Sequence, residues 1–327
     1  MYTLGIETSC DETSVAVVEN GRRILSCRTA SSLRHHKKYG GIVPEIASRV
    51  HLETLDSVAE LALKDASVKM RRIGAICVTQ RPGLIGSLLV GICFAKGLSM
   101  SFDIPLLGID HLHSHLYSVF LDGRKPEFPF IGLIVSGGHT SLFRVDGFDR
   151  LNLIGQTVDD ACGEAFDKVA KILGLGYPGG PYIENIANKG DPRRIKFSCS
   201  NTRGELDFSF SGIKTAVLYR RKACGPGAAK EIPDIASAFQ ETVIDTLIKK
   251  AFLGCHRSRI KRLVLGGGVI ANNRLRVRFQ EEAERDGLKI YLPRKNLCTD
   301  NAAMVAGIGY RLFKMGYRSE LNLSAES

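Results

Sequence analysis

Two distant stretches of the chain, GIETSCDETSVAVV from Gly5 and LIVSGGHTSLFRV from Leu133, share one plan: an apolar strand, a turn of small and polar residues, and a second apolar strand. The elements after each stretch are also alike. In the first half YTLGIET and SVAVVEN read as strands, Asn20-Gly21 as a hairpin turn, and RRILSCRTA as a third strand. A helix runs from Pro44 to about Lys64, where Ile46, Val50, Leu55, Val58 and Leu61 recur near helical spacing. IGAICVTQ is then a buried strand, LIGSLLVGICFAKGLSM a helix, IPLLGID a strand and HLHSHLYSVFL a helix. In the second half FPFIGLIVS, TSLFRVD and DRLNLIGQT are strands, and a helix spans about Cys162 to Leu173. An insertion of about 174–232 with a Gly/Pro loop and more helix precedes a helix from Ile235 to about Cys255. IKRLVLGG, ANNRLRVRFQEEAERDG, LKIYLP and NAAMVAGIGYRLFKMG come next as strand, helix, strand and helix.

A chain that writes β-β-β-α-β-α-β-α twice is expected to fold as a duplicated, two-lobed α/β protein with a cleft between the lobes. The lobes are expected at 1–126 and 127–300, the second carrying the insertion, with 301–327 a C-terminal helix packing back on the first. Ligands of such folds gather at domain interfaces and beyond the carboxyl ends of parallel strands. Turns rich in Gly, Ser and Thr suit a nucleotide phosphate tail, because their backbone N–H groups can approach oxygens closely. Two ordinary hairpins would read the same way. The pattern resembles the actin–hexokinase–heat-shock ATPase superfamily. That superfamily hosts kinases, ATPases and carbamoyl transferases, so fold alone leaves the chemistry open.

The 45 Lys and Arg against 34 Asp and Glu give a formal net charge of +11, which favours a polyanionic partner or simply a solvated basic surface. Candidate nucleic-acid patches are Arg193, Arg194 and Lys196; Arg220, Arg221 and Lys222; Arg257, Arg259, Lys261 and Arg262; and Arg274, Arg276 and Arg278. With no Trp and 7% aromatics, phosphate contacts and shape recognition are expected rather than base stacking. The 9 cysteines are scattered, odd in number and never C-x-x-C, which fits thiols in a reducing cytosol. The start lacks a basic region followed by a long apolar run, and no stretch approaches about 18 consecutive apolar residues. A cytoplasmic protein without a membrane role is expected.

DHLHSHL places histidines at 111, 113 and 115. On a strand all three would share a face; on a helix His111 and His115 share one and His113 turns away. IPLLGID is already long enough for a strand, Asp110 is a plausible N-cap, and Leu112, Leu116, Val119 and Phe120 fit helical spacing, so a helix is expected. H-x-x-x-H on a helix suits a divalent transition metal. Two hydrogen-bonded histidines are nevertheless the commoner outcome of that spacing by itself. A metal would need a further ligand. Asp300 in CTDNAAMVAGIG stands at the mouth of the last helix, where it could ligate the ion or simply cap N–H groups. Two imidazoles and a carboxylate leave coordination positions open, as catalysis requires.

Eight segments in order carry a closer resemblance: GIETSCDETSVAVV, HHKKYGGIVPEIASRVHLETL, DHLHSHL, LIVSGGHTSL, GEAFDKVAKILGLGYPGGPYIE, FSFSGIKTAV, GGGVIANNRLR and CTDNAAM, spanning residues 5–304. Together they resemble the TsaD family, tRNA N6-adenosine threonylcarbamoyltransferases once described as glycoproteases. The resemblance implies one divalent metal per subunit, iron or alternatively zinc, on His111, His115 and Asp300. It implies a substrate loop at Ile134, Val135, Ser136, Gly137 and Gly138. It implies nucleotide and substrate contacts at Asp167, Gly180, Glu184 and Asn272. Asp11 and Glu12 match acidic residues at the cleft whose role is left open, as are those of His113 and His139. The implied reaction moves the threonylcarbamoyl group from threonylcarbamoyl-adenylate to the exocyclic amine of the adenine 3′ of the anticodon in tRNAs reading ANN codons, releasing AMP. A TsaB-like paralogous subunit and a TsaE-like ATPase are the implied partners. The chain departs from the family's NHLEGH by reading DHLHSH, and has Arg81 where a small residue commonly precedes PGL. It lacks the H-E-x-x-H of a metallopeptidase, and no strong Ser-His-Asp signature appears.

Overall fold

A computed structural model describes residues 1–223 and 228–327. Within the insertion expected at about 174–232, Cys224 and residues 225–227 therefore lie outside the described residues. The chain divides into two compact units, residues 1–125 with 299–327, and residues 126–298.

The first unit is built on β1 (Tyr2–Glu7), β2 (Glu12–Glu19), β3 (Arg23–Ser31), β4 (Ile73–Arg81) and β5 (Leu106–Asp110), in the order β3-β2-β1-β4-β5. β1 pairs antiparallel with β2 and parallel with β4. Its helices are α1 (Leu33–His36), α2 (Pro44–Ala66), α3 (Ile85–Phe102) and α4 (His111–Leu121). The short α1 carries no apolar repeat and is not expected from periodicity. The second unit uses β6 (Phe130–Val135), β7 (Thr140–Val145), β8 (Leu151–Gln156), β9 (Arg262–Gly266) and β10 (Lys289–Tyr291). Read from its far edge, the order is β8-β7-β6-β9-β10, the same plan strand for strand. Its helices are α5 (Cys162–Ile172), α6 (Gly179–Ala187), α7 (Ser211–Ala223), α8 (Ala228–Ser258) and α9 (Asn273–Asp286), and the final helix, α10 (Ala302–Lys314), belongs to the first unit. The repeat seen in the sequence is thus a repeat of sheet topology.

α8 begins seven residues before the expected Ile235, with Pro233 inside it. A proline removes one backbone hydrogen bond, which the remainder of a 31-residue helix outweighs. The second division of the chain falls between Cys298 and Thr299, not after Asp300. The turn into α10 is tied to β2, because Ala302 N donates to Ser14 Oγ at 3.0 Å.

β1 decides how this unit packs. Leu4 and Ile6 enter an apolar cluster with Val15, Val17, Leu55, Val58 and Ile92. Thr3, Gly5 and Glu7 lie on the other face, as strand alternation requires. Thr3 Oγ1 donates to the Ala306 carbonyl at 3.1 Å, and α10 rests on Gly5. A Cβ on Gly5 would stand 2.8 Å from Ala306 N and closer still to the Ala302 carbonyl oxygen. α3, which by length and composition could cross a membrane, packs in this unit against α2 and β4. The eight described cysteines are free thiols.

Overpacking of this kind costs about 1–3 kcal/mol. Gly5→Ala should therefore lower the melting temperature by several degrees. Gly97→Ala, on α3 where a new Cβ meets nothing within 4 Å, should be neutral or slightly stabilising. Differential scanning calorimetry of both variants checks this; a Gly5→Ala protein melting with the wild type would contradict it.

Candidate metal centre

β5 ends on Asp110, and the carboxylate of this residue starts α4. Its Oδ1 accepts from Leu112 N at 2.9 Å and His113 N at 3.1 Å. With the first turn fixed by this cap, His111 and His115 project from one side of the helix, one turn apart. His113 turns away, partly exposed, with Nε2 4.0 Å from Asp110 Oδ1. On α10, Asn301 is the cap, its Oδ1 accepting from Met304 N at 3.0 Å, so the preceding Asp300 is not consumed in capping and reaches the histidine pair.

His111 Nε2 and His115 Nε2 lie 3.2 Å apart. Asp300 Oδ1 lies 3.1 Å from His115 Nε2 and 3.5 Å from His111 Nε2. An ion holding nitrogen and oxygen ligands at about 2.0–2.2 Å, with bond angles of roughly 90–110°, separates neighbouring donors by about 3.0–3.5 Å. The triangle has those dimensions, and its donor set suits a divalent transition metal. Among the described residues it is the only group of three His, Cys, Asp or Glu side chains close enough to share an ion.

Behind the triangle stands a residue that no sequence motif singles out. Glu7, the last residue of β1, has no solvent exposure. Its Oε1 accepts from Ser9 N at 2.6 Å, its Oε2 accepts from Thr79 Oγ1 at 2.6 Å, and the same Oε2 lies 3.0 Å from His111 Nδ1. A carboxylate there holds a proton on Nδ1 and turns the Nε2 lone pair toward the triangle, the support metal-binding histidines commonly have. The available signal is an acidic residue closing an otherwise buried strand, since buried charges need partners.

The electrostatics favour a cation. Burial disfavours a charged His111, but the carboxylates of Glu7 and Asp300 outweigh it and raise its pKa to about 9. Burial would raise Glu7, yet the charge and hydrogen bond of His111 hold it below the usual carboxylate range. His115 is pushed down, mainly by burial, and its Nδ1 has no hydrogen-bond partner. Burial, then the charges of Asp300, Asp11 and Glu7, pushes Glu12 up to about 8. Asp11 is raised by burial and by Asp300. Asp11 and Glu12, both raised by burial and by the charge of Asp300, are relieved by a bound positive charge. The turn carrying Asp11 and Glu12 is held by buried His51, whose Nε2 donates to the Cys10 carbonyl at 2.9 Å while Nδ1 accepts from Thr13 Oγ1 at 2.7 Å.

The other expected site residues lie in the second unit. Ile134 and Val135 end β6 with fully buried side chains, so only their backbone could meet a ligand. Ser136 closes the turn to β7: its N donates to the His139 carbonyl at 2.8 Å and its Oγ accepts from His139 N at 3.1 Å. Gly137 and Gly138 are exposed at the tip, where a Cβ would meet nothing within 4 Å. Gly163 N donates to the Ser136 carbonyl at 3.1 Å, bringing the start of α5 to the same turn. Asp167 Oδ1 accepts from Gly179 N at 2.5 Å and fastens the start of α6, while a Cβ on the neighbouring Gly180 would meet nothing. Glu184 Oε1 accepts from both nitrogens of Asn273, at 2.7 and 2.8 Å. Asn272 caps α9 through Leu275 N at 2.9 Å and donates to Gln240 Oε1 at 2.9 Å, so both ends of its amide have structural partners.

The basic clusters are less available than their spacing suggests. Arg274 and Arg278 both pair with Glu241, and Arg278 also reaches Asp245 at 2.7 Å. Arg276 donates to the carbonyls of Pro293 and Ile270. Arg193, Arg194, Arg220, Arg257 and Arg262 each pair with a carboxylate. Lys196, Arg221, Lys222, Arg259 and Lys261 form no ion pair among the described residues and keep most of the charge a phosphate would meet.

A family model described as TsaD, tRNA N6-adenosine threonylcarbamoyltransferase, matches residues 23–307. A tRNA N6-adenosine threonylcarbamoyltransferase of Dictyoglomus turgidum is 51% identical over 329 residues, covering 99% of this chain and 97% of that one. That of Thermodesulfovibrio yellowstonii is 50% identical over 333 residues, covering 100% and 99%. Among solved structures, HypF of T. kodakarensis aligns with a TM-score of 0.66 at 14% identity, over 98% of this chain and 49% of that one. Component A of the Acidaminococcus fermentans (R)-2-hydroxyglutaryl-CoA dehydratase aligns at 0.57 and 15%, over 95% and 98%. At those identities the structures speak for the fold alone, a duplicated α/β architecture as expected from the repeat.

Because an ion binds the neutral imidazole and His111 titrates near 9, binding at pH 7 must displace a proton. Apparent affinity for zinc(II), used as a probe, should rise as pH increases from 7 toward about 9 and then level off. Calorimetry in buffers of differing ionisation enthalpy should count at least one proton released per ion at pH 7, since Glu12, raised to about 8, can add its own to that of His111, and fewer in Glu7→Gln. Binding without proton release in the wild type would contradict this charge balance.

Proposed function

The chain belongs to the TsaD family of tRNA N6-adenosine threonylcarbamoyltransferases and is a transferase of tRNA modification, and from that premise we propose its substrates and the division of labour in its site. The donor is threonylcarbamoyl-adenylate. The acceptor is the exocyclic amine of the adenine 3′ of the anticodon in tRNAs reading ANN codons. The amine nitrogen attacks the carbamoyl carbon, the bond from that carbon to the phosphate oxygen breaks, AMP leaves with the electron pair, and the nitrogen gives up a proton. Because the mixed anhydride is already activated, positioning and charge stabilisation provide much of the rate.

The observation that carries this reading is the His111–His115–Asp300 triangle with Glu7 behind it. Those three residues would hold one divalent ion, iron with zinc as the alternative, and the ion when bound supplies Lewis-acid stabilisation of oxygens that gain negative charge. Glu7 keeps the His111 proton on Nδ1. The exposed turn tip at Gly137 and Gly138 offers backbone N–H groups to the phosphate and carbamoyl oxygens, with Ser136 beside it and Ile134 and Val135 contributing backbone only. Asp167, Gly180, Glu184 and Asn272 form the nucleotide side. Open space over Gly137, Gly138 and Gly180 supports this, since no contact within the chain excludes a Cβ there. Basic residues with no ion pair among the described residues, such as Lys196, Arg221, Lys222, Arg259 and Lys261, meet tRNA phosphates. A TsaB-like subunit and a TsaE-like ATPase are the proposed partners, from the family resemblance, and the cytosol the proposed location, consistent with the free thiols. A peptidase reading finds no support in α4, which has Leu112 where H-E-x-x-H places its glutamate base.

The test is reconstituted transfer from purified threonylcarbamoyl-adenylate to unmodified tRNA, read by nucleoside mass spectrometry. The wild-type protein with its partners should form the modified nucleoside, and a His111→Ala/His115→Ala double variant of wild-type fold should lose both the ion and at least about a hundredfold in transfer. Full transfer by that variant, free of metal, would reject the proposal.

A further inference from the structure

The tail after α10 runs along β5, the edge strand of the first unit's sheet. Ser319 N donates to the Leu106 carbonyl at 2.8 Å, and Gly108 N donates to Ser319 Oγ at 2.9 Å. Leu323 packs against the core where a Cβ on Gly108 would come within 2.7 Å of it. Farther on, Glu326 N donates to the Gln80 carbonyl at 3.1 Å. These contacts deliver Glu326 to the C-terminal ends of β4 and β5, where its Oε2 accepts from Arg81 Nη1 at 2.7 Å and its Oε1 from Gln80 Nε2 at 3.1 Å. The Arg81 guanidinium also places Nε 3.4 Å from Asp110 Oδ2. Asp110 thus spends one oxygen on the first turn of α4 and presents the other to Arg81.

We propose that Arg81 is a positioning residue for the metal-binding helix, held over the Asp110 cap by Glu326 of the tail. A carboxylate cap can rotate about its last bond; a guanidinium on its outer oxygen resists that rotation. His111 comes directly after the cap, so any freedom in Asp110 passes to a donor of the triangle. Arg81 and Glu326 are about half-exposed, and ion pairs so placed add little to overall stability. The effect is therefore expected locally, in helix-start order and ion affinity, rather than in melting temperature. The inference rests on the reading that His111, His115 and Asp300 bind an ion.

The experiment compares full-length wild type, Arg81→Gln, Glu326→Gln and their double variant. Zinc(II) affinity is measured by chelator competition, and hydrogen exchange over residues 106–118 is measured without metal. Direct histidine partners are worth roughly 10–100-fold in affinity. One step farther out, each single variant should lose about 3–10-fold and should speed exchange of the Leu112 and His113 amides. The double variant should be no worse than Arg81→Gln alone, because the two act in series. Variants that bind and exchange like a zinc-binding wild type overturn this inference and leave the metal site standing. A wild type that binds no more zinc than His111→Ala overturns both.

Discussion

A carboxylate with no access to water has to be matched by hydrogen bonds and by charge, and Glu7 is matched on every side. Ser9 N, Thr79 Oγ1 and the His111 ring meet its two oxygens. The three partners come from the turn after β1, from β4 and from α4, so one side chain fixes the junction of those elements. Losing one partner of a buried charge costs far more than the pair contributes, which makes such a junction rigid. The face of β1 that carries Glu7 also carries Gly5, against which α10 lies, and α10 brings Asp300. The carboxylate that orients the first imidazole and the packing that delivers the third donor are therefore two consequences of one strand face.

The duplicated plan shows how the two units diverged. β1 ends on Glu7 and β6 ends on Val135. In the first unit the strand closes on a buried charge and its turn gathers more carboxylates, Asp11 and Glu12. In the second the strand stays apolar to its end and its turn is open backbone at Gly137 and Gly138. One topology thus supports two kinds of chemistry: a concentration of negative charge that suits a cation, and N–H donors that suit anionic oxygens.

Features written locally were legible in the sequence. Strand alternation, the Asp110 cap and helical spacing after it were enough to place α4 and the His111–His115 pair, and the repeated order of elements announced both sheets. Features that depend on partners far along the chain were not. Nothing near Glu7 names His111, which lies 104 residues away. Arg274 and Arg278 look like a basic stripe until α8 supplies Glu241 and Asp245. Asn272, proposed on the nucleotide side, also caps α9 and donates to Gln240, a partner that its own segment does not name. α8 starts upstream of the expected Ile235 because the helix continues through Pro233, which local spacing does not reveal.

The central claim is that two imidazoles and one carboxylate of the first unit converge on a single ion. X-ray absorption spectroscopy of the zinc-loaded protein tests it most directly. The account predicts a first shell of nitrogen and oxygen at about 2.0–2.2 Å with the outer-ring scattering of two imidazoles. A shell containing sulfur at about 2.3 Å, as Cys10 beside the site would give, or one without imidazole, would contradict it.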